Sequence, residues 1–239
     1  MKPLLKSITN NYIVLGASSS IGLPVCSGIL NDGHRVIAHS NSRTRELMFL
    51  QKKFPNQLTL FKKDFLDEPL VFEDSIFSDL NEIHGIVHCP SLPLEIKSML
   101  KTNWSEIEDN MKIQVKSLHA LLKRLSKLNV LSNTRCVVIN SEISLQDLPP
   151  KGFLSYGITK IALDTFCKFI SNELSNKILL NQISPSMFES NLLKNIPSFV
   201  KEQNNVGSFS PEAEIFDLVY YLLFKASDDE VNQNLHLSG

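Results

Sequence analysis

The chain has 239 residues, of which 43% are hydrophobic and 21% charged, so it can bury a sizeable core as one α/β domain. A formal net charge of −1 gives no electrostatic reason to expect nucleic acid or an anionic membrane as a partner. No apolar run approaches the roughly 18 residues of a membrane span, and the polar N-terminus is unlike a signal peptide. The four cysteines are widely spaced, without a CxxC or Cys/His ligand pattern, so we expect a cytoplasmic protein with reduced thiols and no metal site.

The first predicted elements are a strand over residues 12–15, a glycine-containing turn and a helix to about residue 32. Gly16 lets the chain turn sharply, and Gly22 lets the helix pack close to the strand. The N–H groups of such a turn, with the positive end of the helix dipole, form a site for a pyrophosphate. The pattern therefore indicates a nucleotide-binding unit, although many turns of this kind bind nothing.

The second predicted strand, residues 33–38, continues into a polar stretch without an acid. A strand in this position that serves NAD usually ends in Asp or Glu, which binds the ribose 2′-hydroxyl. Small polar residues with an arginine suit a 2′-phosphate instead, so the sequence favours NADP(H) over NAD(H), with an ordinary polar loop as the alternative. The stretch is His39, Ser40, Asn41, Ser42 and Arg43.

Strands and helices are predicted to alternate along the rest of the chain. We predict helices over about 43–54, 69–80, 104–128, 156–174 and 211–225, and strands over 58–61, 84–88, 135–140, 179–183 and 234–237. Asp64, after the third strand, would meet an adenine amine or cap the following helix. The alternation predicts an α/β fold, with one doubly wound Rossmann-type parallel sheet of about seven strands and helices on both faces, in a single domain over 1–239.

A serine, a tyrosine and a lysine are concentrated between residues 141 and 160. Ser141 ends the strand of residues 135–140, and Tyr156 and Lys160 are four residues apart on the next helix. Residues i and i+4 share a helix face, so the phenol and the ammonium would share one site. We expect the cation to lower the pKa of the phenol towards the range of a general acid/base.

The order of LGASSSIG, INSEIS, YGITK, ISPSMFES and NLHLSG resembles the short-chain dehydrogenase/reductase family over nearly the whole chain. It is similar in layout to the 3-oxoacyl-carrier-protein reductases and sugar-dehydrogenase-like members. The resemblance implies an NAD(P)-dependent oxidoreductase in which Tyr156 exchanges a proton with the substrate and Lys160 holds the nicotinamide ribose. Ser141 would bind the substrate oxygen, with Ser144 as the alternative.

The resemblance also implies a set of cofactor-binding residues, with three departures from the family pattern. Pyrophosphate would lie against the glycine turn, adenine near Asp64, and the carboxamide under Pro185 and the turn to Ser190. His88 and Pro90 belong to the stretch HCPS that replaces the family's NNAG, Gln114 stands for the relay asparagine of the long helix, and Ser186 replaces a glycine. The residues of the turn are Gly16, Ser18, Ser19, Ser20, Ile21 and Gly22.

The implied substrate is a small-molecule carbonyl or alcohol that the sequence does not identify. Residues 186–209 carry apolar side chains at near-helical spacing, which predicts a substrate lid or a surface packed on the core or a partner. Relatives of this family imply a homodimer or homotetramer. The alternatives are an epimerase or dehydratase acting on nucleotide sugars and, because of the altered motifs, a catalytically impaired cofactor-binding regulatory protein.

Overall fold

Seven strands of the computed structural model, which describes residues 9–42, 44–186 and 212–237, form one parallel sheet. They are β1 (Asn11–Leu15), β2 (Arg35–Ser40), β3 (Leu58–Lys62), β4 (Ile83–His88), β5 (Leu131–Ile139), β6 (Ile178–Pro185) and β7 (Asn234–Leu237). Their order in the sheet is β3-β2-β1-β4-β5-β6-β7, and every neighbouring pair is parallel. The predicted fold class is confirmed.

Helices connect the strands and cover both faces of the sheet. They are α1 (Gly22–Asn31), α2 (Arg45–Lys53), α3 (Trp104–Met111), α4 (Ser117–Leu128), α5 (Leu154–Glu173) and α6 (Glu212–Phe224). A π-helical turn over Lys112–Lys116 joins α3 to α4, and 3-10 turns lie at Asp74–Ile76, Met99–Lys101 and Glu142–Leu145. Among the helices so described, none is long and apolar enough to cross a membrane.

The strand β1 shows how the sequence divides the core into two layers. Tyr12 and Val14 pack into the cluster formed with α1 and α6, and Ile13 and Leu15 pack into the cluster formed with α4 and α5. Successive side chains of a strand point to opposite faces, so a strand buried on both faces is apolar throughout. This is why residues 12–15 of β1 form a continuous apolar run in the sequence.

The segment between β3 and β4 contradicts the predicted helix over 69–80. Only Asp74–Ile76 is helical, as one 3-10 turn. Leu70 and Phe72 are both buried although they are two residues apart, as in an extended chain, and Phe77 also packs into the cluster under α4 and α5. Tertiary burial of these side chains, and not a single helical face, therefore decides the local conformation.

The predicted helix over 104–128 is interrupted, and the fifth strand begins earlier than predicted. The π-helical turn inserts one wide turn between α3 and α4, which rotates the residues that follow it relative to a regular helix. The strand β5 begins at Leu131 and not at residue 135, with a register shift against β4. All four cysteines are buried and free.

Candidate active site

A cavity of about 1020 Å³ opens at the carboxyl ends of the strands. Residues within two positions of the ends of five strands line it: Gly16 after β1, Asn41 after β2, Asp64 after β3, Pro90 after β4 and Ser141 after β5. The sheet order reverses between β1 and β4, which is the point at which open α/β sheets form a ligand crevice.

The glycine turn after β1 requires both of its glycines. Gly16 has a φ of +80°, and a Cβ there would lie 2.7 Å from the Pro90 nitrogen. A Cβ on Gly22 would lie 2.8 Å from the Ala17 Cα, because the start of α1 packs directly on the turn. The Gly22 N–H donates to the Ser19 hydroxyl at 2.9 Å, which closes the turn. Both glycines are therefore needed for the close approach of the turn to the loop after β4 and to the start of α1.

The residues predicted around a pyrophosphate divide between the wall of the cavity and the structure behind it. Gly22 lies behind the turn and does not line the cavity. The residues of this set that line the cavity are Gly16, Ser18, Ser19, Ser20 and Ile21.

Ser141, Tyr156 and Lys160 meet at the other end of the cavity. The Ser141 hydroxyl caps the 3-10 turn that follows it, accepting from the Ile143 N–H at 3.5 Å, and lies close enough to the Tyr156 hydroxyl to affect its pKa. The Lys160 Nζ donates to the Ile139 carbonyl at 3.0 Å and lies 5.5 Å from the centroid of the Tyr156 ring. The three groups predicted to act together are therefore neighbours.

The electrostatics of these groups differ from the expectation that Lys160 lowers the pKa of Tyr156. Burial raises the pKa of the phenol, and the hydrogen bond to Ser141 opposes this only in part. Lys160 is 3% exposed, and burial lowers the pKa of its amine to about 7. Removal from water disfavours the charged forms of both groups. Burial therefore lowers the pKa of Lys160, and the pKa of Tyr156 is raised where the sequence predicted that the lysine would lower it.

Ser144 does not line the cavity, and its hydroxyl donates to the Ser141 carbonyl at 2.8 Å. Gln114 does not line it either. Its side chain is fully buried in the π-helical turn, where Nε2 donates to Asn110 Oδ1 at 3.2 Å and Oε1 has no hydrogen-bond partner among the described residues. A part for Gln114 in proton transfer would therefore be indirect.

His88 ends β4 beneath the cavity and does not line it. The Ser117 hydroxyl donates to the Ile113 carbonyl at 2.6 Å, so it accepts from His88 Nε2 at 3.0 Å. His88 Nδ1 has no partner in the described part of the chain. Burial, and then the positive charge of Lys160, lower the pKa of His88 to about 3, which keeps the ring neutral.

The far end of the cavity is formed by the residues after β2 and β3. Asn41 and Ser42 line it, and Arg43 lies outside the described residues. Asp64 also lines it, but its Oδ1 accepts from the Leu66 N–H at 2.9 Å, so it closes a turn and caps no helix. Four further residues here, His39, Ser40, Lys63 and Phe65, were not predicted as site residues. The sequence feature that could have indicated His39 is the polar stretch after an apolar strand, whereas no sequence feature marks Lys63 as a site residue.

Apolar residues line the cavity around Ser141 and Tyr156. Ile113 comes from the π-helical turn, and the others come from the segments after β4 and between β5 and α5: Leu92, Pro93, Leu94, Ile143, Leu148, Pro150 and Phe153. Glu142 and Gln146 are polar members of the same wall. Pro185 and Ser186 at the end of β6 line the cavity, whereas Ser190 and residues 187–209 of the predicted lid lie outside the described residues. In the parts of the chain described, no cluster of His, Cys, Asp or Glu could hold a metal ion.

An open parallel sheet with a glycine turn and a cavity at its reversal point defines an α/β protein of the dinucleotide-binding class. A family model described as enoyl-(acyl carrier protein) reductase matches residues 16–233. The chain belongs to the short-chain dehydrogenase/reductase family of oxidoreductases.

Solved structures of this family share the fold. A short-chain dehydrogenase/reductase from Serratia marcescens is 15% identical, with a TM-score of 0.83 over 95% of this chain and 96% of that one. A dehydrogenase/reductase from Mycobacterium ulcerans is 18% identical, with a TM-score of 0.79 over 95% and 88%. A short-chain dehydrogenase from Burkholderia cenocepacia, in complex with NADP, is 13% identical, with a TM-score of 0.81 over 96% of both chains. No curated protein matches the sequence.

Proposed function

We propose that the protein is an NADP(H)-dependent oxidoreductase that moves a hydride between the nicotinamide and a carbonyl or alcohol group of a small molecule. The observation that carries this is the meeting of the Ser141 hydroxyl, the Tyr156 phenol and the Lys160 amine at one end of the cavity. The glycine turn before α1, which lines the same cavity, supports a bound dinucleotide, because such a turn at a helix N-terminus suits a pyrophosphate.

The choice of NADP(H) is supported by the end of β2. β2 ends in His39 and Ser40, without the acid that would bind a ribose 2′-hydroxyl, and the His39 ring is neutral because burial lowers its pKa to about 4. Asn41 and Ser42 follow, with Arg43 next in the sequence. The related Burkholderia cenocepacia protein was solved with NADP.

The bound nicotinamide would supply the hydride, and the protein would supply the proton and the stabilisation of charge. Tyr156 would donate its phenolic proton to a carbonyl oxygen, or accept a proton from an alcohol. Ser141 would donate a hydrogen bond to the same oxygen as negative charge develops on it. Lys160, with a pKa of about 7, would be about half protonated at neutral pH. Its protonated form would stabilise the phenolate that forms when Tyr156 has donated its proton.

The remaining predicted residues would have supporting parts. Gly16, Ser18, Ser19, Ser20 and Ile21 would surround the pyrophosphate, while Gly22 holds the turn from behind. Pro90 and Pro185 would bound the nicotinamide. His88 and Gln114 are buried and do not line the cavity. His88 would position the loop after β4, and Gln114 would position the π-helical turn between α3 and α4.

Replacing Tyr156 by phenylalanine tests the proposal. We expect Tyr156→Phe to lower the turnover of carbonyl compounds by about a thousandfold or more, since general acid catalysis and charge stabilisation are both lost. Binding of NADPH, measured by its fluorescence, should be nearly unchanged. Tyr221→Phe is the matched control, because the Tyr221 hydroxyl contacts only Glu230 on the surface among the described residues. Activity that survives in Tyr156→Phe would rule out the assigned role.

A second candidate is the catalytically impaired cofactor-binding protein. The raised pKa of Tyr156 and the unpartnered polar atoms of His88 and Gln114 favour it, because they make the site less ready for proton transfer. NADPH binding without oxidation across a broad panel of aldehydes and ketones would support this candidate. Epimerisation or dehydration of a nucleotide sugar is less well supported, since the wall around Tyr156 is mainly apolar.

We also propose a cytoplasmic homodimer or homotetramer of one domain per chain, in which residues 186–209 cover the substrate. Exposed apolar side chains on α5, Ile158, Ile161 and Phe169, and the neighbouring Trp104 at the start of α3, support an interface between subunits. Sedimentation equilibrium of the wild type and of Phe169→Glu tests the interface, since the charge should shift the protein towards monomer.

A further inference from the structure

The end of the cavity away from Tyr156 contains a cation to which no described residue is paired. Lys63, just beyond β3, lines the cavity with Ser40, Asn41 and Ser42 from the end of β2. Within the described ranges, Lys63 and Lys160 are the cations that line the cavity, and they lie at opposite ends of it. Lys160 is used beside the tyrosine, which leaves Lys63 as the positive charge at the β2–β3 end.

His39 holds Lys63 in place. Its Nδ1 accepts from the Gly16 N–H at 3.4 Å, and its Nε2 therefore carries the hydrogen and donates to the Lys63 carbonyl at 2.8 Å. The ring stacks on Phe65 with centroids 4.0 Å apart, and it is 3% exposed. A neutral ring with both nitrogens engaged ties the backbone after β3 to the glycine turn, so the position of Lys63 is set relative to the pyrophosphate site.

The acid next to Lys63 has other partners. Asp64 Oδ1 accepts from the Leu66 N–H at 2.9 Å, and its Oδ2 accepts from the Asn41 amide at 3.3 Å. Both carboxylate oxygens of Asp64 thus have a hydrogen-bond donor, and no ion pair between Asp64 and Lys63 is formed. The lysine ammonium thus remains available to an anion that enters between β2 and β3.

We propose that Lys63 binds the 2′-phosphate of the dinucleotide, together with the hydroxyls of Ser40 and Ser42, and so sets the preference for the phosphorylated cofactor. This inference rests on the proposed function. It assigns the preference to the residue that follows β3, which the sequence alone did not mark.

Two adenine nucleotides that differ only in this phosphate isolate the subsite. Isothermal titration compares adenosine 2′,5′-bisphosphate with adenosine 5′-monophosphate on the wild type, Lys63→Gln, Lys63→Arg and Lys62→Gln. Lys62 is the matched control, because it is the preceding residue, exposed and outside the cavity wall. Fluorescence titrations with NADPH and NADH on the same four proteins extend the comparison to the whole cofactor.

We expect the wild type to bind the bisphosphate more tightly and Lys63→Gln to lose about tenfold or more of that preference, as for a hydrogen bond to a charged group. Affinity for the monophosphate and for NADH should stay within about twofold, which also shows that the variant is folded. Lys63→Arg should retain most of the preference, and Lys62→Gln should match the wild type.

An unchanged preference in Lys63→Gln would overturn the inference while leaving NADP(H) as the proposed cofactor. The same holds if Lys62→Gln lowers the preference equally, or if Arg43→Gln abolishes it while Lys63→Gln does not. If the wild type binds both nucleotides equally, the inference and the NADP(H) preference are both wrong, and the loss of turnover in Tyr156→Phe still tests the reaction.

Discussion

Replacing Lys160 by methionine would measure the energetic cost of placing an amine in this site. Lys160 is 3% exposed, and burial lowers its pKa from 10.5 to about 7. At about 1.4 kcal/mol for each pKa unit, this fall corresponds to a penalty on the charged form of at most about 5 kcal/mol. Methionine has similar length without the charge, but it cannot donate to the Ile139 carbonyl. We therefore expect Lys160→Met to raise the free energy of unfolding at pH 6 by about 2–4 kcal/mol.

The pH dependence of this gain has a defined sign. Below the folded pKa of about 7, the amine is charged in both the folded and the unfolded chain, so the whole penalty acts on the wild type. Between about pH 7 and 10.5 the folded amine is neutral while the unfolded amine still binds a proton, so the wild type gains stability as pH rises. At pH 9 only about 2 kcal/mol of the penalty remains, and the advantage of the variant should shrink accordingly.

Urea unfolding followed by circular dichroism at pH 6 and pH 9 tests both statements. Lys123→Met is the control, because Lys123 is exposed on α4 and its replacement should change stability by less than about 0.5 kcal/mol at either pH. The reasoning is refuted if Lys160→Met is less stable than the wild type at pH 6, or if its advantage is the same at both pH values. A variant that is more stable but inactive would show that function, and not folding, requires the lysine.

Two further predictions concern the glycine turn and the polar contacts of α5. Gly16→Ala and Gly33→Ala place alanine at similar φ values of +80° and +87°, but of these two sites only Gly16 has atoms that the Cβ would meet. We expect Gly33→Ala to lower the free energy of unfolding by about 1 kcal/mol. Gly16→Ala should lower it by at least about 2 kcal/mol more and should abolish NADPH binding. Equal losses of stability in urea unfolding would contradict the clash. Asp164→Ala removes the carboxylate that accepts from the buried Gln182 amide at 2.9 Å and should lower the free energy of unfolding by about 3 kcal/mol. Asp109→Ala on the surface is the control and should lower it by less than about 0.5 kcal/mol. A small effect in Asp164→Ala would show that water replaces the carboxylate.

The architecture was predictable because its strands, helices and turns depend on patterns of residues that are close together in the sequence. The continuous apolar runs within β1 (residues 12–15) and β5 (residues 136–139) are typical of strands buried on both faces, and glycines at positions 16 and 22 are typical of a strand–turn–helix unit. The spacing of Tyr156 and Lys160 placed them on one helix face. Where apolar residues belong to no single periodicity, as around Leu70 and Phe72, the prediction was wrong, because contacts distant in sequence decided the conformation.

The sequence by itself determined the parallel α/β fold, the glycine turn and the order in which the polar residues follow the strands, since each of these depends on neighbours within a few positions. Only the tertiary structure decided how far Lys160 is removed from water, and therefore that the lysine pKa falls while the Tyr156 pKa rises. It also decided that His39 turns inward to bind the backbone of Lys63. Burial and hydrogen bonds between separate strands exist only after the sheet has formed, and no local pattern encodes them.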